Sequence, residues 1–260
     1  MNSLPSWKMP TGVNASLWEY AGSQRIALDE ADYFQGHPLH AVDGPLVESR
    51  FREPGAIVDL GCGIGRMSLR FARKGFDVVS VELSFAMLET LKRQADAESL
   101  KIRRVRANLC RLGCFPDRTF DYALSMFSTL GMIRGRSARS QALAEAFRIL
   151  KPGGRLALHA HNLWLNLRNP QGRTWLLSQI APRLLGRWDA GDRRMTYRGI
   201  PDMEVHLFTW GELRGELRRA GFRIEDVVCL DERTALEIPR PWLAPSIRAG
   251  GWMVFARRPH

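Results

Sequence analysis

The chain has 260 residues, of which 45% are hydrophobic, and this composition fits one globular domain with a full core rather than a disordered or fibrous chain. It holds no apolar run close to the ~20 residues that cross a bilayer and no apolar N-terminal segment of the secretory kind, so we expect a cytoplasmic protein without a membrane partner. The net charge of +11 fits either a nucleic-acid partner or an arginine-rich composition spread over the whole chain.

The first 50 residues are expected to form an N-terminal helical cap. Residues 1–16 are rich in proline, serine and asparagine and are predicted to be poorly ordered, whereas the apolar and aromatic positions of residues 17–50 indicate one or two helices. Trp18, Tyr20 and Tyr33 present aromatic faces, which favour a nearby cation by ~0.5–2 kcal/mol or stack on a substrate. The alternative is an aromatic helix face that packs on the core.

Residues 57–65 combine a short apolar strand with a glycine-rich turn. An acid, Asp59, lies just ahead of the turn. The turn contains Gly61, Cys62, Gly63 and Gly65. Because glycine lacks a Cβ, a ligand can approach such a backbone closely. The amphipathic stretch of residues 66–74 then predicts a helix whose first N–H groups and positive dipole end face the same place.

A second apolar run, residues 77–81, ends in Glu82. A carboxylate at a strand tip can accept hydrogen bonds from both ribose hydroxyls, and Glu82 follows Gly61 at about the ~20-residue spacing of a ribose-binding acid. Strand, glycine turn, helix, strand and terminal acid together predict a nucleotide-type pocket on a parallel sheet. The dinucleotide fingerprint has a glycine or alanine where this chain has Arg66, so an NAD(P) site fits less well.

The next segments continue the alternation of strands and helices. Residues 104–109 predict a third strand with its end, residues 120–127 a fourth strand, and residues 142–150 an amphipathic helix. A Lys-Pro-Gly-Gly turn follows, and residues 155–159 predict a fifth strand.

The C-terminal part returns to regular elements. Thr209 is a candidate N-cap of a helix that ends near Gly221, and residues 223–230 and 252–256 predict the last two strands. Alternating strands and helices of this kind imply a parallel sheet with helices on both faces.

These segments, in this order, resemble the class I, Rossmann-like methyltransferases that use S-adenosylmethionine (SAM). The resemblance rests on Asp59 with the three glycines and Glu82, and on the string ILKPGGRLAL. It covers residues 50–160 strongly and residues 207–257 moderately. It implies an α/β fold, a three-layer αβα sandwich around a mostly parallel seven-stranded sheet whose last strand is antiparallel.

The resemblance also implies SAM as the cofactor and assigns its contacts. Asp59 would face the ammonium group, Glu82 the ribose, and Asn108 the adenine amino group, where the family usually has an acid. The implied cofactor-binding residues are Asp59, Gly61, Cys62, Gly63, Gly65, Glu82, Leu83, Asn108, Leu109, Met126 and Phe127.

The single domain of residues 1–260 therefore divides into the cap, a SAM-binding core (51–160), a lid insertion (161–206) and the C-terminal part of the sheet (207–260). The lid is expected to be irregular and to lie outside the sheet. It carries Arg183, Arg187, Arg193, Arg194 and Arg198. These arginines would meet an anionic substrate, with Arg194 as a candidate contact, or form a solvated loop. Its tryptophans Trp164, Trp175 and Trp188 would form a stacking groove or anchor the lid.

Candidate catalytic residues follow the fifth strand. Alternation puts His159 and His161 on one face, where either could serve as a general base near neutral pH, or pack beneath the lid. Asn162 could hold a substrate or cap a turn, and Tyr20 and Tyr33 are further substrate candidates. Four cysteines at positions 62, 110, 114 and 229 lack metal-site spacing, so we expect no metal and no disulfide.

The sequence thus predicts a SAM-dependent methyltransferase that acts on an O or N atom of a small or medium-sized acceptor. Methyl transfer from a sulfonium needs positioning and water exclusion more than a catalytic triad. An RNA methyltransferase that uses the basic lid is the alternative. A non-catalytic SAM-binding protein and an NAD(P)-linked oxidoreductase fit the intact motif less well. No feature of the sequence indicates an oligomeric state.

Overall fold

The computed structural model describes residues 8–34, 36–185 and 190–260. The strands are β1 (Ala56–Leu60), β2 (Asp77–Glu82), β3 (Ile102–Arg106), β4 (Phe120–Ser125), β5 (Leu150–His161), β6 (Asp192–Tyr197), β7 (Ile200–His206), β8 (Arg223–Leu230) and β9 (Gly251–Arg257). The helices are α1 (Ala15–Gly22), α2 (Gln24–Tyr33), α3 (Pro38–Glu48), α4 (Arg66–Ala72), α5 (Phe85–Ala97), α6 (Thr129–Met132), α7 (Arg136–Ile149), a 3-10 helix (Leu163–Arg168), α8 (Pro170–Leu184), α9 (Trp210–Arg219) and α10 (Pro245–Arg248).

The main sheet has seven strands in the order β3-β2-β1-β4-β5-β9-β8. Strands β1 to β5 pair in parallel, whereas β9 runs antiparallel to both of its neighbours, β5 and β8. The prediction of a mostly parallel sheet with an antiparallel last strand is confirmed. Because the first five strands are parallel, their carboxyl ends meet at one edge, which is where ligands bind in sheets of this type.

Both faces of the sheet are covered. Successive residues of a strand point to opposite sides, so each strand contributes to two clusters. Val58 and Val79 face a cluster that includes residues of α7 and α9, whereas Ile57 and Val78 face a second cluster built with α3 and α4. All four side chains are at most 1% exposed. Apolar residues on both faces of central strands give the three-layer αβα sandwich that the sequence predicted.

The N-terminal cap has three helices rather than one or two. Asn14 accepts a hydrogen bond from the Leu17 amide (2.9 Å) and starts α1, and Ser23 accepts one from the Ile26 amide (3.3 Å) and starts α2. Poor order was predicted for residues 1–16. Residues 1–7 lie outside the described residues, so for them it stays a prediction, whereas residues 15 and 16 belong to α1.

The lid insertion is more regular than expected. It lies outside the main sheet, as predicted, but it contains the 3-10 helix, α8 and a β6–β7 hairpin. The hairpin turns at Arg198 and Gly199, which both have left-handed φ angles of 52° and 82°. It packs on α1, where the Ser16 hydroxyl donates to the Asp202 carbonyl (2.9 Å).

Several predicted bounds shift by a few residues. Helix α7 begins at Arg136 rather than at 142, and β3 ends at Arg106, so Asn108 lies in the following loop. The Lys-Pro-Gly-Gly turn lies within the bounds of β5, where the pairing with β4 shifts register and Gly153 has a φ of 82°. Thr209 is the N-cap of α9, as predicted, and accepts a hydrogen bond from the Glu212 amide (3.3 Å).

Among the described residues, none of the helices is both long and apolar enough to cross a membrane. The same residues contain no cluster of histidine, cysteine and acidic side chains that could hold a metal ion.

Candidate active site

A cavity of about 850 Å³ opens at the carboxyl edge of the parallel strands. Its floor is the glycine loop after β1, the tip of β2 and the loops after β3 and β4. Residues of α1 to α3 and of the β6–β7 hairpin form its cover. We call this space the central cavity. Its volume lies within the ~300–1,000 Å³ of ligand sites, large enough for two ligands of moderate size.

The glycine loop leaves open space at one position. The amides of Gly61 and Cys62 donate to the Val81 carbonyl (2.8 and 3.1 Å), which fastens the loop to β2. Gly63 has a φ of 55°, and a Cβ placed on it would meet nothing within 4 Å. Gly63 lines the central cavity, so a ligand can lie directly against its backbone.

The other two glycines of the loop serve packing. A Cβ on Gly61 would clash with Thr129, and one on Gly65 would clash with Leu91. Gly61 lines the cavity, but Gly65 is not among the lining residues. Gly65 lets the loop and the start of α4 pack on α5, and its predicted contact with the cofactor stays a prediction.

Three backbone amides hold the carboxylate of Glu82. The Gly63 amide donates to Oε2 (3.0 Å), and those of Leu83 and Ser84 donate to Oε1 (2.7 and 3.0 Å). Burial raises the pKa of Glu82, while these amide hydrogen bonds lower it. A carboxylate has about four acceptor sites and these amides use three of them, so Oε2 can still accept a hydrogen bond from a ribose hydroxyl.

Asp59 is fixed by a chain of hydrogen bonds from Ser68 and Ser80, two residues that were not among the predicted site residues. The Ser80 hydroxyl donates to the Ser68 hydroxyl (2.7 Å), which donates to Asp59 Oδ2 (2.7 Å). Asp59 is 2% exposed and lines the cavity. Burial raises its pKa to about 6, so a cation placed beside it would stabilise the charged form.

Asn108 joins the cavity wall to the N-terminal segment. Its Nδ2 donates to the Thr11 carbonyl (2.8 Å), and its Oδ1 accepts a hydrogen bond from the Cys110 amide (2.9 Å). Asn108, Leu109 and Thr11 all line the cavity. Oδ1 of Asn108, the predicted acceptor for the adenine amino group, therefore already accepts one hydrogen bond. An amide oxygen has two acceptor sites, so one remains for a ligand.

The loop after β4 is strained and carries an aromatic ring into the cavity. Phe127 and Ser128 have φ angles of 52° and 61°, a left-handed conformation that costs a non-glycine residue about 1–2 kcal/mol. Such strain is typical of functional sites. Met126 and Phe127, which are predicted to contact the cofactor, both line the cavity.

Four histidines surround Phe127. The distances from the centre of its ring to those of the imidazoles range from 5.0 Å to 6.5 Å. The four are His37, His40, His159 and His161, which we call the histidine cluster. Phe34 also contacts Phe127, at 4.8 Å between ring centres. The sequence analysis found His159 and His161, whose ring centres are 5.0 Å apart, but missed the other two.

The histidine cluster is electrically neutral at pH 7. Burial lowers the pKa of His161 and of His40 to about 4, and it lowers the pKa of His159 and His37 as well. His159 is 3% exposed, and its Nδ1 has no hydrogen-bond partner among the described residues. The expectation of titration near neutrality is therefore corrected, because burial keeps both predicted bases uncharged.

Comparison with known proteins places this site in a family. The methyltransferase domain family matches residues 57–154. The putative methyltransferase YqeM of Bacillus subtilis is 31% identical over 116 residues, 45% of this chain and 46% of the relative. The ubiquinone/menaquinone biosynthesis C-methyltransferase UbiE of Geobacter sulfurreducens is 28% identical over 67% of each chain. The chain spans less than half the length of the first two curated relatives it matches.

A solved SAM-dependent methyltransferase from Methanosarcina mazei has the same fold over nearly its whole length. It is 25% identical, and the superposition has a TM-score of 0.66 over 83% of this chain and 97% of the other. The matched domain and this shared fold support the class I SAM-dependent methyltransferase family for the chain. SAM is the cofactor of this family, and the predicted recognition, fold class and cofactor are confirmed.

The floor of the central cavity suits SAM chemically. The open face of Gly63 admits a ligand beside the backbone, and the amide-held carboxylate of Glu82 offers an acceptor for a ribose hydroxyl. The buried carboxylate of Asp59 suits an ammonium group, because a cation compensates for its burial. These groups would hold the two ends of the cofactor.

Three predicted substrate contacts do not face the central cavity. Asn162 is fully buried; its Nδ2 donates to the carbonyls of Ser246 and Ala249 (2.9 and 2.7 Å), and its Oδ1 accepts from the Trp164 amide. It caps the 3-10 helix, the second of its two predicted roles. Tyr33 is 53% exposed and does not line the cavity.

Arg194 is the third of these residues. Its side chain is 65% exposed and pairs with Glu204 (2.9 Å) outside the cavity. Tyr20, in contrast, does line the cavity, and its hydroxyl donates to Glu30 Oε1 (3.3 Å). The pKa of Glu30 is raised to about 7, mainly by burial.

Arg193, Arg194 and Arg198 of the lid have partners within the protein. Arg193 donates to Asn166 and lies 5.8 Å from the Trp175 ring centre, and Arg198 pairs with Asp29 and Glu30. Trp164 and Trp175 pack on the buried apolar cluster of the lid, so they anchor it, the second of their predicted roles. Arg187 and Trp188, as well as the side chain of Arg183, lie outside the described residues.

Proposed function

We propose that the protein transfers a methyl group from SAM to an O or N atom of a small or medium-sized acceptor bound against the histidine cluster. The observation that carries this proposal is that one cavity joins the glycine loop and Glu82 to Phe127 and the four imidazoles. The volume of 850 Å³ leaves room for an acceptor beside the cofactor.

When bound, SAM supplies a methyl group whose C–S bond breaks with its electron pair left on sulfur, while an acceptor lone pair forms the new bond and the acceptor loses its proton. The protein's residues orient the two reactants and exclude water. Residues of α1 to α3 and of the hairpin cover the cavity, and the amide-held Glu82 keeps the cofactor end fixed.

His159 and His161 are the residues placed to accept the acceptor's proton. Both line the cavity at the end of β5, and both are neutral, the form of imidazole that can take up a proton. Their low pKa values make them weak bases, so they suit an acceptor whose own proton is acidic, or one that they only hold by hydrogen bonds.

The choice of the atom that receives the methyl group is a separate part of the proposal. The relative from Geobacter sulfurreducens is named as a C-methyltransferase, whereas a solved structure with 18% identity, which shares the fold, is named as an N1-methyltransferase. We favour O or N because neutral imidazoles bind hydroxyl and N–H groups by hydrogen bonds.

Calorimetry tests the proposal first. Purified, nucleic-acid-free protein is titrated with SAM, with S-adenosylhomocysteine (SAH), and with NADH as the control. We expect dissociation constants in the micromolar range for the first two and no binding of NADH. Incubation with methyl-deuterated SAM and a library of phenols, amines and RNA then identifies the labelled product by mass spectrometry. Absence of SAM and SAH binding would overturn the proposal.

A further inference from the structure

The central cavity has a cofactor half and an acceptor half. The cofactor half is formed by Asp59, Gly63, Glu82 and Asn108, and the acceptor half by Phe34, Phe127 and the histidine cluster. The chemistry of the acceptor half indicates which molecules it can take, and the argument rests on the function proposed above.

The cations that line the cavity are already neutralised or hydrogen-bonded. Among the described residues they are Arg66, Arg73 and Arg193, and no lysine joins them. Arg66 donates through both terminal nitrogens to the buried carboxylate of Asp43, and Arg73 donates twice to Glu98 (2.6 Å each). Arg193 donates to Asn166. An anionic acceptor would therefore find no unengaged cation among the described lining residues.

Carboxylates outnumber guanidinium groups on the same walls. The described lining includes five acidic residues against three arginines. They are Glu30, Asp59, Glu82, Asp231 and Glu232. On these walls a carboxylate or phosphate in the acceptor half would lose its hydration without gaining an unengaged cation of the protein, and such a transfer is unfavourable.

The acceptor half is instead lined by flat rings that carry uncharged polar edges. Phe34 and Phe127 meet edge to face, with 4.8 Å between ring centres, and the four imidazoles surround Phe127. The Leu39 amide donates to His37 Nδ1 (3.3 Å), so the proton of the neutral His37 ring is on Nε2, a hydrogen-bond donor. Aromatic faces with a few hydrogen-bonding atoms recognise a ring with a polar substituent.

We propose that the acceptor is an uncharged, flat aromatic molecule that bears a hydroxyl group, and that the acceptor half of the central cavity rejects carboxylates and phosphates. Neutral imidazoles hold the hydroxyl, and Phe34 and Phe127 contact the ring. The low pKa of His161 and His40 supports this proposal, because neutral imidazoles offer no positive charge to an anion.

Three probes with the same bicyclic ring test the charge preference on the unaltered protein. The protein is saturated with SAH and titrated with 2-naphthol (neutral), 2-naphthoate (anionic) and 2-naphthylmethylammonium (cationic). We expect 2-naphthol to bind at least about tenfold more tightly than either charged probe, which corresponds to ~1.4 kcal/mol. Equal or tighter binding of a charged probe, or no binding of 2-naphthol, would overturn the inference. Saturation with SAH shows separately that the cofactor site is intact.

Two neighbouring aromatic residues give a matched pair of variants. Phe34→Leu removes a ring that lines the cavity, whereas Tyr33→Leu removes an exposed ring outside it on the same helix. We expect Phe34→Leu to weaken 2-naphthol binding about fivefold and Tyr33→Leu to leave it unchanged, with SAH affinity retained in both. Equal effects of the two variants on 2-naphthol would contradict the ring-binding role of Phe34.

Discussion

Arg66 donates to both carboxylate oxygens of Asp43, so the first residue of α4 is fastened to the middle of α3. Asp43 is fully buried, whereas the Arg66 side chain is 30% exposed. Since α4 begins at the glycine loop and α3 belongs to the N-terminal cap, this ion pair sets the position of the cap over the cofactor half of the cavity.

Asp43→Asn should destabilise the protein, because it leaves Arg66 without its bidentate partner. We expect the free energy of unfolding to fall by ~1–3 kcal/mol in urea titrations, less than for a fully buried pair because Arg66 is partly exposed. Asp96→Asn is the control, since it removes only the exposed pair between Lys92 and Asp96. Equal stability of the two variants would show that the Asp43 pair does not hold the cap.

Glu82→Ala should weaken SAH binding by ~1.5–3 kcal/mol, because a hydrogen bond from ribose to a charged acceptor is lost. Calorimetry of the folded variant measures this loss. Glu89→Ala is the control, because Glu89 is 46% exposed and pairs with Arg104 away from the cavity. If Glu82→Ala bound SAH as tightly as the original protein, the ribose role of this residue would be wrong.

Gly63→Val should fold but lose SAH binding. The new side chain enters open space, where the cofactor would lie, at a left-handed φ that costs about 1–2 kcal/mol. Gly75→Val is the matched control, since Gly75 also has a left-handed φ of 82° and open surroundings but does not line the cavity. We expect similar losses in thermal stability for both variants and loss of SAH affinity for Gly63→Val alone; retained affinity in Gly63→Val would contradict the pocket.

Alanine at His159 or at His161 should lower kcat more than it lowers SAM affinity. We expect about a 10²-fold loss for the residue that acts as the base, at the lower end of general-base contributions. Turnover is measured with the best acceptor from the labelled-methyl screen, and His260→Ala is the control, because His260 lies outside the cavity. Unchanged turnover in both variants would assign these two histidines to packing alone.

His206 should make stability depend on pH. It lies between Asp192 (2.5 Å from Nδ1) and Glu212 (2.8 Å from Nε2), with Arg139 and Glu216 nearby. Burial lowers the pKa of His206, but the two carboxylate hydrogen bonds outweigh it and leave the pKa raised. A raised folded-state pKa adds stability below the unfolded value of about 6.5, and this stability is lost as pH rises through the folded-state pKa.

The His206→Gln variant measures that contribution. The difference in free energy of unfolding between the original protein and the variant should be larger near pH 5.5 than near pH 8.5, by on the order of 1 kcal/mol. His260→Gln is the control, since His260 is exposed at the C-terminus. A difference that stays constant with pH would mean that His206 has the same pKa in the folded and the unfolded protein.

The sequence predicted the floor of the cavity well because its chemistry is local. Asp59, Gly61 and Gly63 stand within a few residues of one another, and Glu82 ends the next strand, so strand and turn patterns alone bring them together. The parallel sheet was predictable for the same reason, because strands β1 to β5 and helices follow one another in short segments along the chain.

The cover could not be predicted in the same way. His37 and His40 reach Phe127 only because α3 docks on the sheet, and no local pattern encodes that docking. The hairpin was missed because both of its strands carry charged residues and its turn is Arg198-Gly199 rather than the Asn-Gly that commonly signals a hairpin. Asn162 was a candidate because it follows the fifth strand, and Arg194 because it belongs to the basic lid, but their hydrogen bonds direct them elsewhere.

Arg198, only 3% exposed, joins the hairpin turn to Glu30 across 168 residues of sequence. Contacts of such separation form late in folding, because a long loop must close before they contribute. The sheet and its glycine loop can therefore assemble before the cover does, and the cover is expected to be the region that opens first in mild denaturant. The cofactor should then be released at denaturant concentrations below those that unfold the sheet, and this release would report the local stability of the cover. Ligand exchange would in that case be coupled to partial unfolding of the two chain segments that Arg198 joins.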